Sequence, residues 1–230
     1  MAFLKNKDRQ ALEQEFQNLK QPVTLLLFTQ ARNCDMCAET EKLLQEVASL
    51  SDKITLEVTD MERDAERAQK YNIDKTPALV VMNGKDYGIR NFGIPSGYEF
   101  ATLIQDIQMV SQGDSGLQAV TKEALHKINK PLHFQVFVTP TCPYCPRAVL
   151  TAHKMAMEND LIRADMIEAT EFPELSDKYG VMSVPRVVIN EEHYFEGALP
   201  EQIFLLAALN ALGEDTSEFE KQLAQPHVRA

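Results

Sequence analysis

The sequence predicts an α/β protein built from two copies of one fold in tandem, and three observations predict it. Two Cys-x-x-Cys pairs, Cys34–Cys37 and Cys142–Cys145, lie 108 residues apart, each where a strand-like apolar run gives way to a helical pattern. Sliding the chain by that offset sets Tyr71 on Tyr179, Pro77 on Pro185, and Leu79-Val80-Val81 on Val187-Val188-Ile189. Both prolines fall 43 residues after the first cysteine of their pair. Past Asn83–Asn91 four residues are lost and the offset becomes 104, so that Gly93 meets Gly197 and Phe100 meets Phe204.

The elements follow in order. Leu12, Phe16 and Leu19 recur at helical spacing within Asp8–Lys20, and Pro22 ends that pattern. Val23–Thr29 reads as a buried strand, and Cys34 opens a helix running to about Ser49. Ile54–Thr59 alternates with period two, as a half-buried strand does. Glu62–Tyr71 is a polar helix. Ala78–Met82 and Tyr87–Asn91 flank Asn83-Gly84, a hairpin signal because both residues tolerate the left-handed backbone of a tight turn. Ser96–Val110 closes the first copy as a helix. The second copy repeats this order: helix Leu117–Ile128, strand His133–Val138, helix Cys142–Asn159, strand Ile162–Ile167, helix Glu171–Tyr179, hairpin strands Arg186–Ile189 and His193–Phe195, helix Pro200–Leu212. The polar, glycine-bearing stretch Gln112–Gly116 separates units at 1–114 and 115–230, and Gly213–Ala230 reads as a charged, frayed tail.

Composition narrows the function classes. Hydrophobic residues are 44% and charged residues 25% of 230, ordinary for a globular chain with a buried core. A formal charge of −11 repels nucleic-acid phosphates and anionic lipid, so neither is expected as a partner. No apolar run approaches the ~18–20 residues of a spanning helix, and MAFLKNKDRQ lacks the apolar core of a signal peptide. A cytoplasmic location is the expectation. Four cysteines are too few for a disulfide scaffold, and their pairing points to redox or metal chemistry.

A helix that begins with Cys-x-x-Cys is a chemical device. Its unpaired N–H groups and partial positive charge stabilise a thiolate, so Cys34 and Cys142 become nucleophiles near neutral pH. Cys37 and Cys145, about one turn on, can attack the resulting mixed disulfide and release a reduced substrate. Lys75-Thr76-Pro77 and Ser183-Val184-Pro185 each precede an apolar run, where a proline is either cis in a turn or trans at a strand start.

Cys142-Pro-Tyr-Cys145 and Val184-Pro185 look like the glutaredoxin and thioredoxin superfamily. Over nearly its whole length the chain resembles the two-unit protein disulfide oxidoreductases, also called glutaredoxin-like proteins, including Lys85-Asp-Tyr-Gly-Ile-Arg90 before Gly93. The resemblance implies two tandem thioredoxin-like folds, each a central mixed sheet flanked by helices. It implies cis Pro77 and Pro185 against the cysteines, with Thr76 and Val184 offering backbone to a substrate peptide. It implies reduction, oxidation or isomerisation of protein disulfides, with a flavin-containing thioredoxin reductase as electron donor and no cofactor bound to this chain. Two departures stand out. Asn33 and Thr141 replace the tryptophan usual before the first cysteine, and the strand positions six before it, Phe28 and Val136, lack the buried carboxylate of thioredoxin. The group that moves the resolving cysteine's proton is therefore unassigned.

The two sites are expected to differ. Asp35 disfavours a thiolate at Cys34, partly offset by Arg32, whereas Pro143 and Tyr144 add no charge and Arg147 and Arg186 add positive potential near Cys142. Cys142 is then the more acidic nucleophile and the more oxidising site. Against this stand a shared four-thiolate zinc site, an iron–sulfur cluster between subunits, an adaptor module, and an electron-delivery module for a peroxidase. The first is disfavoured by the 104 residues from Cys37 to Cys142, and no dinucleotide fingerprint accompanies the last. The five histidines, His126, His133, His153, His193 and His227, are scattered without ligand spacing and read as surface or half-buried residues.

Overall fold

Period-two and 3.6-residue patterns become a β/α succession in the computed structural model, which describes residues 3–224. The first unit runs α1 (Asn6–Phe16), β1 (Val23–Thr29), α2 (Cys37–Ala48), β2 (Ile54–Asp60), α3 (Ala65–Lys70), β3 (Ala78–Met82), β4 (Asp86–Phe92) and α4 (Glu99–Gln112). The second runs α5 (Ala119–His126), β5 (Leu132–Val138), α6 (Cys145–Glu158), β6 (Ile162–Glu168), α7 (Pro173–Lys178), β7 (Arg186–Ile189), β8 (His193–Glu196) and α8 (Glu201–Ala211), followed by α9 (Ser217–Ala224).

The two units share one sheet. Its strand order is β2-β1-β3-β4-β6-β5-β7-β8. Strands β4 and β6 join the halves in parallel, Ile89 opposite Ala164 through Phe92 opposite Ile167. Within each unit the first strand pairs in parallel with the second and antiparallel with the third, a mixed arrangement. The seam requires close approach: a Cβ on Gly88, whose φ is +75°, would lie 2.5 Å from the Ile162 carbonyl oxygen.

Side chains alternate across this sheet. Leu25 and Leu27 pack with α1, α2 and α4, and Phe134, Val136 and Val138 pack with α5, α6 and α8. On the opposite face, Leu26, Phe28, Val80, Phe92, Phe137, Ile167 and Val188 form one core that runs through both units beneath α3 and α7. Burying this continuous apolar face, at about 25 cal/mol per Å², ties the halves together.

Three expectations change. The first helix is shifted: α1 starts at Asn6, two residues before the expected start, and stops at Phe16, with Leu19 buried as loop. Both active-site helices begin at the second cysteine, not the first. The tail is not wholly frayed. Its α9 is seated by Phe219, 6% exposed in the second unit's core, and Asp215 accepts a bond from the Ser217 amide at 3.0 Å. The tail beyond residue 224 lies outside the described residues.

The register also corrects one equivalence. β1 and β5 superpose Phe28 on Phe137, because Phe28 opposes Ala78 and Phe137 opposes Arg186. The loop to the first cysteine is one residue shorter in the second unit, so Val136 faces the other core. No carboxylate stands at Phe28, Val136 or Phe137.

Candidate redox sites

Because β1, β4, β5 and β6 run the same way, both Cys-x-x-Cys pairs emerge at one edge of the sheet. β1 and β5 are four strand positions apart, about 19 Å at ~4.8 Å per strand. Each pair is closed as a disulfide, Cys34–Cys37 and Cys142–Cys145, with Cα atoms 5.5 Å apart in both. The Thr76–Pro77 and Val184–Pro185 peptides are both cis. Pro77 and Pro185 each open the third strand of their unit, beside the strand that leads to the cysteines.

The second site is the better organised. The Cys142 amide donates to Thr139 O at 3.1 Å, which turns the chain into α6. The Cys145 amide donates to Cys142 Sγ at 3.1 Å. That N–H belongs to the helix terminus and would hold a Cys142 thiolate once the disulfide opens. Cys142 Sγ also lies 3.7 Å from the Val184 carbonyl oxygen, which places the cis-proline loop against that sulfur. Cys142 is 7% exposed and Cys145 fully buried. Tyr144, between the two cysteines, is 67% exposed, and Met182, three residues before Pro185, is 91% exposed.

At the first site Cys34 is partly exposed and Cys37 buried. No N–H bond to Cys34 Sγ forms among the described residues. Thr76 Oγ1 donates to Gln30 Oε1 at 3.3 Å beside Pro77. Asp35 and Arg32 are both exposed. The charge expected of Arg186 is largely engaged elsewhere, since its guanidinium donates to Glu196 Oε1 at 3.0 Å and stacks 3.7 Å over the Tyr194 ring. Arg147 donates to Ala198 O.

A residue that sequence reasoning passed over stands where the first unit meets the loop before Cys142. The end of the first unit abuts the loop before Cys142: the Tyr98 amide donates to Pro140 O at 3.0 Å. A Cβ on Gly97 would lie 2.2 Å from that same oxygen. This contact brings the first turn of α4 against the loop that precedes Cys142. Its Glu99 is 2% exposed, accepts from Thr102 Oγ1 at 2.6 Å through Oε2, and has no partner for Oε1 among the described residues. Burial pushes its carboxyl up to about 7, against the Thr102 hydrogen bond and the attraction of His153, while Asp106 raises it further. The repeat held the signal, because the 104-residue offset sets Glu99 on Ile203, a 44% exposed residue.

Glu171 occupies a related place on the other side of the seam. It accepts from the Ile94 amide at 2.7 Å, next to Gly93, whose own amide donates to Pro77 O at 3.0 Å. Burial pushes its carboxyl up to about 7, against the Ile94 hydrogen bond and with help from Glu168. The histidines are corrected at one position. His153 is fully buried, neither surface nor half-buried, and bonds Asp106 at 2.9 Å. His133 is half-buried and bonds Asp165 at 2.7 Å, while His227 lies outside the described residues. No three His, Cys, Asp or Glu side chains converge as a metal site among the described residues.

Comparison with known proteins agrees with this geometry. A thioredoxin domain model matches residues 27–105 and again 132–210. The structure superposes on a protein disulfide oxidoreductase from Aeropyrum pernix with a TM-score of 0.85 and 31% identity, covering 93% of this chain and 96% of that one. It superposes on the NTD N/C domain of alkylhydroperoxide reductase AhpF from Enterococcus faecalis with a TM-score of 0.83 and 31% identity, covering 90% of this chain and 100% of that one. Among curated relatives, the AhpF-type alkyl hydroperoxide reductase of Staphylococcus aureus is 32% identical over 174 residues, 75% of this chain and 33% of that protein. A Bacillus subtilis protein named NADH dehydrogenase is 28% identical over 196 residues, 85% of this chain and 36% of that protein. The chain thus spans about a third of the length of these curated relatives. With two matched domains, two Cys-x-x-Cys disulfides and one shared sheet, the chain belongs to the thioredoxin-domain family as a tandem, two-unit member.

Proposed function

We propose that the chain is a protein disulfide reductase whose second site performs the exchange, and the observation that carries this is the Cys145 amide aimed at Cys142 Sγ. In the reduced site, a Cys142 thiolate held by that N–H attacks a substrate disulfide. One substrate sulfur leaves as a thiolate, and Cys142 forms a mixed disulfide with the other. Glu99 takes the proton from the buried Cys145 thiol. The Cys145 thiolate attacks Cys142 Sγ, the second substrate sulfur leaves as a thiolate, and the Cys142–Cys145 disulfide closes. Two electrons pass to substrate, and an external dithiol donor such as a thioredoxin reductase restores the site. Backbone at Val184, ahead of β7 and outside its ladder, is where a substrate peptide pairs. Pro185, Thr76 and Pro77 shape this surface and its counterpart at the first site, Cys34–Cys37, which exchanges more weakly.

The AhpF-type alkyl hydroperoxide reductases among the relatives favour a second reading, in which the second site hands its electrons to a peroxidase disulfide. The chemistry is the same and the acceptor differs. Cys145→Ser tests the common step. This variant should accumulate a covalent adduct to a disulfide substrate through Cys142, seen by mass spectrometry and released by dithiothreitol. An adduct through Cys34 instead would overturn the assignment. A bacterial peroxiredoxin outcompeting insulin for the adduct would favour the second reading.

A further inference from the structure

Buried polar groups cluster between the units in a way that the exchange chemistry alone does not require. Glu99, Thr102 and Asp106 lie on one face of α4, at spacings of three and four residues, and that face meets α6. Across the contact stands His153, eight residues beyond Cys145 on α6. Its Nδ1 lies 3.0 and 2.9 Å from the two Asp106 carboxyl oxygens, and both side chains are shut away from solvent. His153 Nε2 and Glu99 Oε1 have no partner among the described residues, and neither does either polar side-chain atom of Asn91. Asn91 shares the strand face of Ile89, beneath these helices. Buried polar atoms of native proteins are rarely left unpaired, so four of them around one helix contact call for an explanation.

We propose that His153, held by Asp106, is a positioning residue that sets the proton affinity of Glu99, so that α4 of the first unit and α6 of the second act as one proton-handling device for the second site. The inference rests on the reading of Glu99 as proton acceptor. Two carboxyls on one buried face of α4 repel each other's charge, and the imidazole between the helices is the group that can offset it. On α6 itself Arg147 is engaged by Ala198 O and Lys154 is partly exposed. The β1 and β3 side of α4 is apolar, with Leu25, Leu27, Leu79 and Val81. On α5, Lys122 and His126 are engaged by Glu158 at the far end of α6, at 3.3 and 3.2 Å. The device is absent from the first site, where the repeat sets Gln45 opposite His153 and Asn210 opposite Asp106.

The test uses the full chain with Cys34→Ser and Cys37→Ser, so that only the second site reports, and follows decay of the mixed disulfide against pH in single turnover. His153→Gln keeps a hydrogen bond for Asp106 but removes the imidazole. Its midpoint should rise by about one pH unit relative to the parent. Combined with Glu99→Gln, it should add no further shift. Glu99→Gln that flattens the profile while His153→Gln leaves the midpoint in place would overturn this inference and keep the Glu99 reading. Glu99→Gln without effect would overturn both. Where His153→Gln does not fold, His153→Asn replaces it, with the same rise expected and no rise counting against the inference.

Discussion

Glu99→Gln is expected to slow closure of the Cys142–Cys145 disulfide by about 100-fold at neutral pH, the usual contribution of a positioned general base. The first attack, by a Cys142 thiolate held at a helix terminus, should change little. The mixed disulfide should therefore persist, and rapid acid quenching with mass analysis would show it. The rate in the parent protein should rise with pH through about 7, where the Glu99 carboxyl of the folded chain loses its proton. The variant should lack that inflection. The expectation follows from position as much as acidity. Glu99 is delivered by a backbone contact, Tyr98 to Pro140, that joins the two units at the loop preceding Cys142.

The same carboxyl has a thermodynamic signature. Glu99 stands at about 7 in the folded protein, against about 4.3 in an unfolded chain. Below the unfolded value both states are protonated and the stability is fully present. As pH rises the unfolded chain releases its proton first, and stability falls until the folded pKa is passed. The loss attributable to Glu99 is about 3 kcal/mol between pH 4.5 and 7. Glu171, also raised to about 7, acts in the same direction. Asp165 acts oppositely: burial opposes its charge, but the His133 hydrogen bond, with His133 and Arg163 attraction, holds it at about 2, so its contribution is lost only in acid. Urea midpoints at pH 5 and pH 8 should therefore converge in Glu99→Gln relative to the parent. Equal pH slopes in the two proteins would contradict the buried, proton-bearing state of Glu99.

Much of this architecture was legible because it is local or repeated. Val23–Thr29, Ala78–Met82 and Arg186–Ile189 coincide with the observed strands, since buried apolar runs bounded by turn residues leave few alternatives. The cysteine pairs were legible because three-residue spacing at a helix start is a local geometry. What joins the units was not. Parallel pairing of Ile89–Phe92 with Ala164–Ile167 depends on which faces the two halves bury together, and no period in either strand encodes its partner. Glu99 was hidden for a related reason. At a helix start an acidic residue is ordinarily explained by the helix dipole, and only the contact with Pro140 from the other unit sets it beside the loop that leads to Cys142. His153 was misjudged because its burial depends on Asp106, 47 residues away.

On the proposed function, disulfide exchange runs through the second site. Turnover of insulin disulfides by the parent chain and by two double variants, Cys34→Ser with Cys37→Ser and Cys142→Ser with Cys145→Ser, tests it most directly. Replacing Cys142 and Cys145 should cost ~100-fold or more, and replacing Cys34 and Cys37 only part of the activity. Equal activity in the Cys142–Cys145 variant and the parent would contradict it.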